Sequence, residues 1–153
     1  MKEIIAYEMS FKDSVKPDKD FSCIPFQRKY WDEYMGIYNE CFYEMRKDLE
    51  IEPFNFYLDY AQMQDKAAGT FLYLHDGAIA GAVSCYGNEL DDLIVKKSMQ
   101  GKGLGKKLLL WGMNYIKEQR YNEIVLHVAG WNKNAMEMYL KTGFTVQKEE
   151  KVR

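Results

Sequence analysis

The sequence is poor in the residues that build metal sites and disulfide frameworks. It has three cysteines, Cys23, Cys41 and Cys85, an odd number, far apart and without a C-x-x-C pair. They read as buried or idle reduced thiols rather than as ligands or nucleophiles. The two histidines, His75 and His127, fall on strand-like segments with no ligand spacing around them. Each reads as a structural or edge histidine, and no metal is expected. No apolar run approaches the roughly 18 residues of a membrane span. The opening "MKEIIAYEMS" sets an acidic residue directly after the lysine and before a short apolar run, which is not a signal-peptide layout. A cytoplasmic location with no membrane partner is the expectation. There is also no excess of charge: the net value is −2, with no long basic block. Bulk electrostatics therefore gives no case for nucleic acid, while a local cationic pocket for one phosphorylated ligand stays open.

What is present suits an ordinary globular chain. The 153 residues fit one domain, residues 1–153, with 47% hydrophobic and 29% charged residues. Periodicity divides the chain. Residues 3–9 read as a strand, and 10–28, with Pro17 and Pro25, as a loop. In "RKYWDEYMGIYNECFYEMRKDL" apolar residues recur at three- and four-residue steps, which predicts a helix broken by Pro53. "FNFYLDYAQMQ" reads as a second, shorter helix. The aromatic stripe along both segments reads as core, with lining of a substrate groove as the lesser use. Strands follow at 70–75 and 78–86, joined through Asp76-Gly77, a tight-turn signal. "LDDLIVKK" is a further strand, 103–119 a helix and "NEIVLHV" a strand. "NKNAMEMYLKTG" is a helix opened by Asn132 and stopped by Gly143, and "FTVQKEEKV" closes the chain as a strand. The order β-α-α-β-β-β-α-β-α-β is mixed α/β, with hairpins that favour a largely antiparallel central sheet flanked by helices.

Between strand and helix lies "SMQGKGLGKKLLLW", with glycines at 101, 103 and 105 and lysines at 102, 106 and 107. The first N–H groups of a helix lack internal partners and carry partial positive charge. Glycines let a phosphate approach them closely, and lysines add point charges. The alternative is a turn selected only for its backbone angles. A P-loop is excluded because Gly105-Lys106 is followed by Lys107 and the glycine expected five residues earlier is Gln100. A Rossmann fingerprint is excluded because Lys106 stands where its third glycine belongs.

The spacing that remains, Gln100-x-x-Gly103-x-Gly105, resembles the acetyl-CoA loop of the GNAT superfamily of N-acetyltransferases. "LIVKKSMQ" before it resembles the family's strand exit, and "NKNAMEMYLKTGF" after it has Asn132, Ala135, Tyr139, Gly143 and Phe144 in the family's places. The paired match covers residues 89–145. Lys97 departs from it, standing where the family often has proline. The resemblance implies the GNAT fold, acetyl-CoA as co-substrate and direct transfer of acetyl to a primary amine of a small molecule or peptide. It leaves the acceptor and the oligomeric state open. A non-catalytic acyl-CoA-binding regulatory domain is the alternative.

The same resemblance implies site residues. The strand should splay, exposing backbone at Leu93, Ile94 and Val95 to the pantetheine arm, with the Val95 N–H as oxyanion donor. Gln100, Gly101, Lys102, Gly103, Leu104, Gly105 and Lys106 should take the pyrophosphate. Asn132 falls where an asparagine helps hold the cofactor, or is a plain helix cap. Tyr139 falls where the family has a general acid for the thiolate, or is a core tyrosine. Glu89 falls where some members place a base. Its ordinary pKa of about 4.3 suits an ammonium near 10.4 poorly, so it acts after burial, through a water, or only as an anchor or solvated strand start. On strand alternation, Glu89 and Asp91 share one face and Asp92 the other.

Overall fold

The computed structural model describes residues 2–153. Seven strands form one sheet: β1 (Ile5–Phe11), β2 (Ile24–Pro25), β3 (Thr70–His75), β4 (Ala78–Tyr86), β5 (Glu89–Val95), β6 (Ile124–Ala129) and β7 (Thr145–Lys151). Their spatial order is β2-β3-β4-β5-β6-β1-β7. Every neighbouring pair is antiparallel except β5 and β6. Three α-helices, α1 (Trp31–Asp48), α2 (Leu104–Glu118) and α3 (Lys133–Thr142), cover the two faces. This is the mixed, mostly antiparallel α/β architecture that the element order implies.

The β3–β4 hairpin turns at Asp76 and Gly77, whose φ angles of 52° and 81° suit a tight primed turn. α1 carries Asp32 and Glu33 in its first turn and Arg46 and Lys47 in its last, matching the helix dipole. Glu33 also accepts a 2.9 Å bond from the Ile79 N–H, pinning the start of α1 to β4. Two cores result. On one face α2 buries Leu108, Leu109, Met113 and Ile116, and α3 Tyr139, against Met9, Val83, Leu90, Leu126 and Phe144. On the other face α1 buries Tyr34, Ile37 and Tyr38 against Leu72, Ile79, Ala82 and Ile94.

Two expectations fail locally. Residues 54–64 form no α-helix; only short 3-10 turns occur, at Tyr60–Met63 and Ala67–Gly69. The apolar spacing there comes from anchors of an irregular loop. Tyr57 and Met63 are buried, and Asn39 holds Tyr57 by two 2.9 Å bonds, one to its N–H and one to its carbonyl. The second failure is the alternation on β5. Ser84 faces Asp92 but Cys85 faces Leu90, so Asp91 is the extra residue of a β-bulge. The bulge brings Asp91 and Asp92 to one partner, Lys66, at 3.1 and 3.2 Å. Asp92 therefore joins Glu89 and Asp91 on the α1 side of the sheet, where alternation predicts it on the other face. Smaller differences are a strand β2 within the expected 10–28 loop and a first strand that runs two residues later than 3–9.

α2 crosses β4 closely at Gly81. A Cβ there would lie 2.9 Å from the Ile94 carbonyl oxygen and 2.5 Å from the Leu108 side chain, whereas a Cβ at Gly36 on α1 meets nothing within 4 Å. Gly81→Ala should lower stability by about 1–3 kcal/mol through overpacking. Gly36→Ala should raise it by about 0.5–1 kcal/mol through helix propensity. Chemical denaturation of the two variants beside the parent protein checks both signs.

Candidate active site

The parallel ladder between β5 and β6 consists of one register pair, Glu89 with Val125. Beyond it the strands part. The Lys96 N–H bonds the Ala80 carbonyl at 2.8 Å, and Ile94 stands opposite Ala82. Antiparallel alternation then commits the Ile94 backbone to β4 and turns the N–H groups of Leu93 and Val95 into the gap. The gap thus offers two donors where the sequence reading names one. The Val95 carbonyl also faces it, accepting bonds from Gln100 Nε2 at 3.0 Å and Cys41 Sγ at 3.2 Å.

On the α2–α3 side the gap opens into a cavity of about 350 Å³. Gln100, Gly101, Gly103, Leu104 and Gly105 form one wall, and Asn132, Met138 and Tyr139 another. Gly103 caps α2 with φ 81°, a left-handed conformation that leaves the first N–H groups of the helix open. No acidic residue occupies the first turn of α2. Lys106 lines an adjoining pocket with Asn134 and Lys141, and Lys102 is exposed on the turn itself. On the α1 side a smaller cavity of about 150 Å³ is lined by Cys41, Phe42, Met45 and Trp131. Leu93, Val95, Gln100 and Asn132 line both cavities. The two spaces therefore flank the same end of β5.

Asn132 Oδ1 accepts from the Ala135 N–H at 3.1 Å, so this residue caps α3 while also lining both cavities. Tyr139 is 8% exposed and packs edge-on against Phe144. Burial, helped by the charge of Asp92, pushes its phenol up to about 12. It therefore holds its proton at neutral pH, as a proton donor must. Burial also raises the three thiols, Cys41 to about 11 and Cys23 and Cys85 to about 12, so all stay protonated and unpaired.

The opposite sheet face carries the acids. Glu89 Oε1 lies 2.7 Å from His127 Nδ1, and Glu8 Oε1 lies 3.3 Å from His127 Nε2. Deeper, Asp92 is pushed up by burial and by Asp91, against the pull of Lys66. Among the described residues no group of three or more His, Cys, Asp and Glu side chains is placed to hold a metal ion, and no helix is long and apolar enough to cross a membrane.

The model of the acetyltransferase (GNAT) family matches residues 31–144. The chain belongs to this family. Solved structures share the fold. An acetyltransferase of the GNAT family from Colwellia psychrerythraea aligns over 97% of this chain and 54% of its own, with TM-score 0.73 and 15% identity. PaiA N-acetyltransferase from Thermoplasma acidophilum, in complex with coenzyme A, aligns over 85% of this chain and 98% of its own, with TM-score 0.63 and 17% identity. Among curated proteins, mycothiol acetyltransferase of Amycolatopsis mediterranei is 41% identical over 51 residues, 33% of this chain and 17% of that protein. The Tsukamurella paurometabola counterpart is 32% identical over 81 residues, 53% of this chain and 27% of that protein. These matches span less than a third of the curated relatives' length.

Within this GNAT domain, the sequence reading passed over Cys41, Trp131 and Met138 as cavity lining, and Glu8 and His127 as partners of Glu89. No local motif marks these residues; strand and helix packing assembles them. His127 is more than an edge histidine. Burial pulls its pKa down, but the hydrogen bond and charge of Glu89, then of Glu8, outweigh this and hold it above its usual value. Its ionic contacts therefore stabilise the fold fully below the unfolded pKa of about 6.5 and are lost as pH rises through the higher folded value. The urea midpoint should fall between about pH 6 and pH 9, and fall less in His127→Gln. A pH series of unfolding curves measures the difference.

Proposed function

We propose that the protein transfers the acetyl group of acetyl-CoA to a primary amine, with both substrates bound at once. The observation that carries this reading is the parting of β5 and β6, with a cavity on each face of the sheet against the same end of β5. The glycine turn and the first amides of α2 receive the pyrophosphate, with Lys102 and Lys106 as nearby charges. The pantetheine arm runs along the gap, where its amides take the place of Gln100 and Cys41 on the Val95 carbonyl. The Leu93 and Val95 N–H groups stabilise the oxyanion that forms on the thioester oxygen. The acceptor enters from the α1 side, into the space lined by Cys41, Phe42 and Trp131. Relatives named as mycothiol acetyltransferases support a small-molecule acceptor.

Proton handling divides between the two faces. The amine must lose a proton, since an ammonium near pKa 10.4 is no nucleophile at neutral pH. Glu89 stands on the face from which the amine arrives. Tyr139 stands on the other face and protonates the leaving thiolate. A thiol pKa of about 8.5 makes the thiolate a fair leaving group, which limits how much Tyr139 contributes.

A screen of thiol release from acetyl-CoA over a panel of primary amines tests the reading; no amine-dependent release would overturn it. Gly105→Glu should lower CoA affinity by at least about tenfold in calorimetry, by setting a carboxylate against the pyrophosphate. Gly105 serves better than Gly103 here. A Cβ at Gly105 makes ordinary contacts of 3.7 and 3.8 Å with Val95 and Met138, whereas Gly103 has the strained φ of 81°. Tyr139→Phe should lower kcat by roughly 10- to 10³-fold and leave CoA affinity and the melting temperature nearly unchanged. Full activity in that variant would leave Tyr139 a core residue only.

A further inference from the structure

Glu89 does not stand alone. Its carboxylate is bonded to His127, which projects from β6 two residues beyond Val125, the last partner of β5. His127 lies between Leu126 and Val128, both in the α2–α3 core, so it faces the α1 side, where the acceptor enters. Its Nδ1 contact with Glu89 is 2.7 Å and its Nε2 contact with Glu8 is 3.3 Å.

Resting on the acetyl-transfer reading, we propose that His127 is the general base that takes the acceptor's proton, with Glu89 as the carboxylate that positions its ring. The tautomer follows from the contacts. The short bond to Glu89 holds the proton on Nδ1, as a carboxylate does for a catalytic or metal-bound imidazole. A neutral ring then has its lone pair on Nε2, and a lone pair does not bond to the Glu8 carboxylate. The Nε2 contact therefore exists in the imidazolium and opens in the imidazole. Glu8 is free to move, with 39% of its side chain exposed. In the neutral state Nε2 meets the ammonium of an acceptor drawn in by Glu8 and Glu89. Glu150 and Lys148 of β7, paired with each other at 2.7 Å, also carry charge beside the ring, and Asp91, Asp92 and Lys66 lie on the same face beyond Glu89. The choice of imidazole also fits the chemistry. An ordinary glutamate lies about six pKa units below a lysine-like amine, an ordinary histidine about four.

The step balances. Nε2 takes one proton from the ammonium, and the freed nitrogen lone pair forms the C–N bond at the thioester carbon as the C–S bond breaks. The sulfur takes the Tyr139 hydroxyl proton. The second nitrogen proton goes to solvent, from which the tyrosinate recovers one. The imidazolium releases its proton to solvent past Glu8. One proton is released for each acetyl transferred.

The test uses acetyl-CoA with the amine that reacts fastest in the screen. His127→Gln should lower kcat at pH 7 by about 10²-fold or more, and the loss should shrink as pH nears about 10, where the amine sheds its proton unaided. Glu89→Gln should cost less, and should move the acid limb of the kcat/KM profile to lower pH as the imidazole loses its anionic partner. NMR titration of the His127 ring, without acceptor, should show a midpoint above that of free histidine that falls in Glu89→Gln. An active parent protein with His127→Gln within about threefold of it, and Glu89→Gln disabled, would overturn this proposal and make Glu89 the base. An inactive parent protein with the NMR pattern intact would overturn the acetyl-transfer reading beneath it. A midpoint unmoved by Glu89→Gln would overturn the pairing whatever the activity.

Discussion

The structure turns on a ladder that stops. β5 and β6 share one register pair and then diverge, leaving backbone donors and acceptors with no strand to bond. Such an opening in a sheet is costly unless each wall is held from behind and each exposed group finds a partner. The first condition is met, and the second is met for one carbonyl, while the Leu93 and Val95 N–H groups stay open. β5 is paired along its length with β4, and β6 with β1. The Val95 carbonyl takes two side-chain donors, Gln100 and Cys41. The gap is therefore a prepared surface of main-chain polarity, and a ligand with its own amides is its natural complement.

This opening also sorts the chemistry. Tyr139 belongs to the α2–α3 face, and Glu89 and His127 to the α1 face. A thioester lying in the gap would meet a buried phenol from one side and an imidazole–carboxylate pair from the other. Because they lie on opposite faces of the sheet, the phenol and the imidazole keep different surroundings. Burial keeps the phenol protonated, while two neighbouring carboxylates tune the partly exposed ring.

Features set by neighbours in the chain were legible in the sequence. The Asp76-Gly77 turn, the alternating glycines before α2, the Asn132 cap and the Gly143 stop all depend on local backbone geometry, and all appear. The helix expected at 54–64 failed because its apolar spacing serves contacts with α1 rather than a helical face. The bulge at Asp91 was hidden for a related reason: register belongs to the pair of strands, not to either one. The Glu8–His127–Glu89 constellation was least accessible. Glu8 and His127 are 119 residues apart, and only the pairing of β1 with β6 makes them neighbours.

That separation has a kinetic side. β1 is hydrogen-bonded on both flanks by strands from the far end of the chain, β6 and β7, while the β3–β4–β5 meander pairs among near neighbours, with the two-residue β2 and, at one register pair, with β6. Closing so long a loop is entropically expensive and slow compared with forming a hairpin. On entropic grounds the meander, with α2 behind it, would form before β6 gained its second flank. A chain emerging vectorially would hold β1 unpaired until its last strands appeared. One wall of the gap would thus be a product of early, local folding and the other of late, global closure. The site would come into being at the moment the two halves of the sheet are joined.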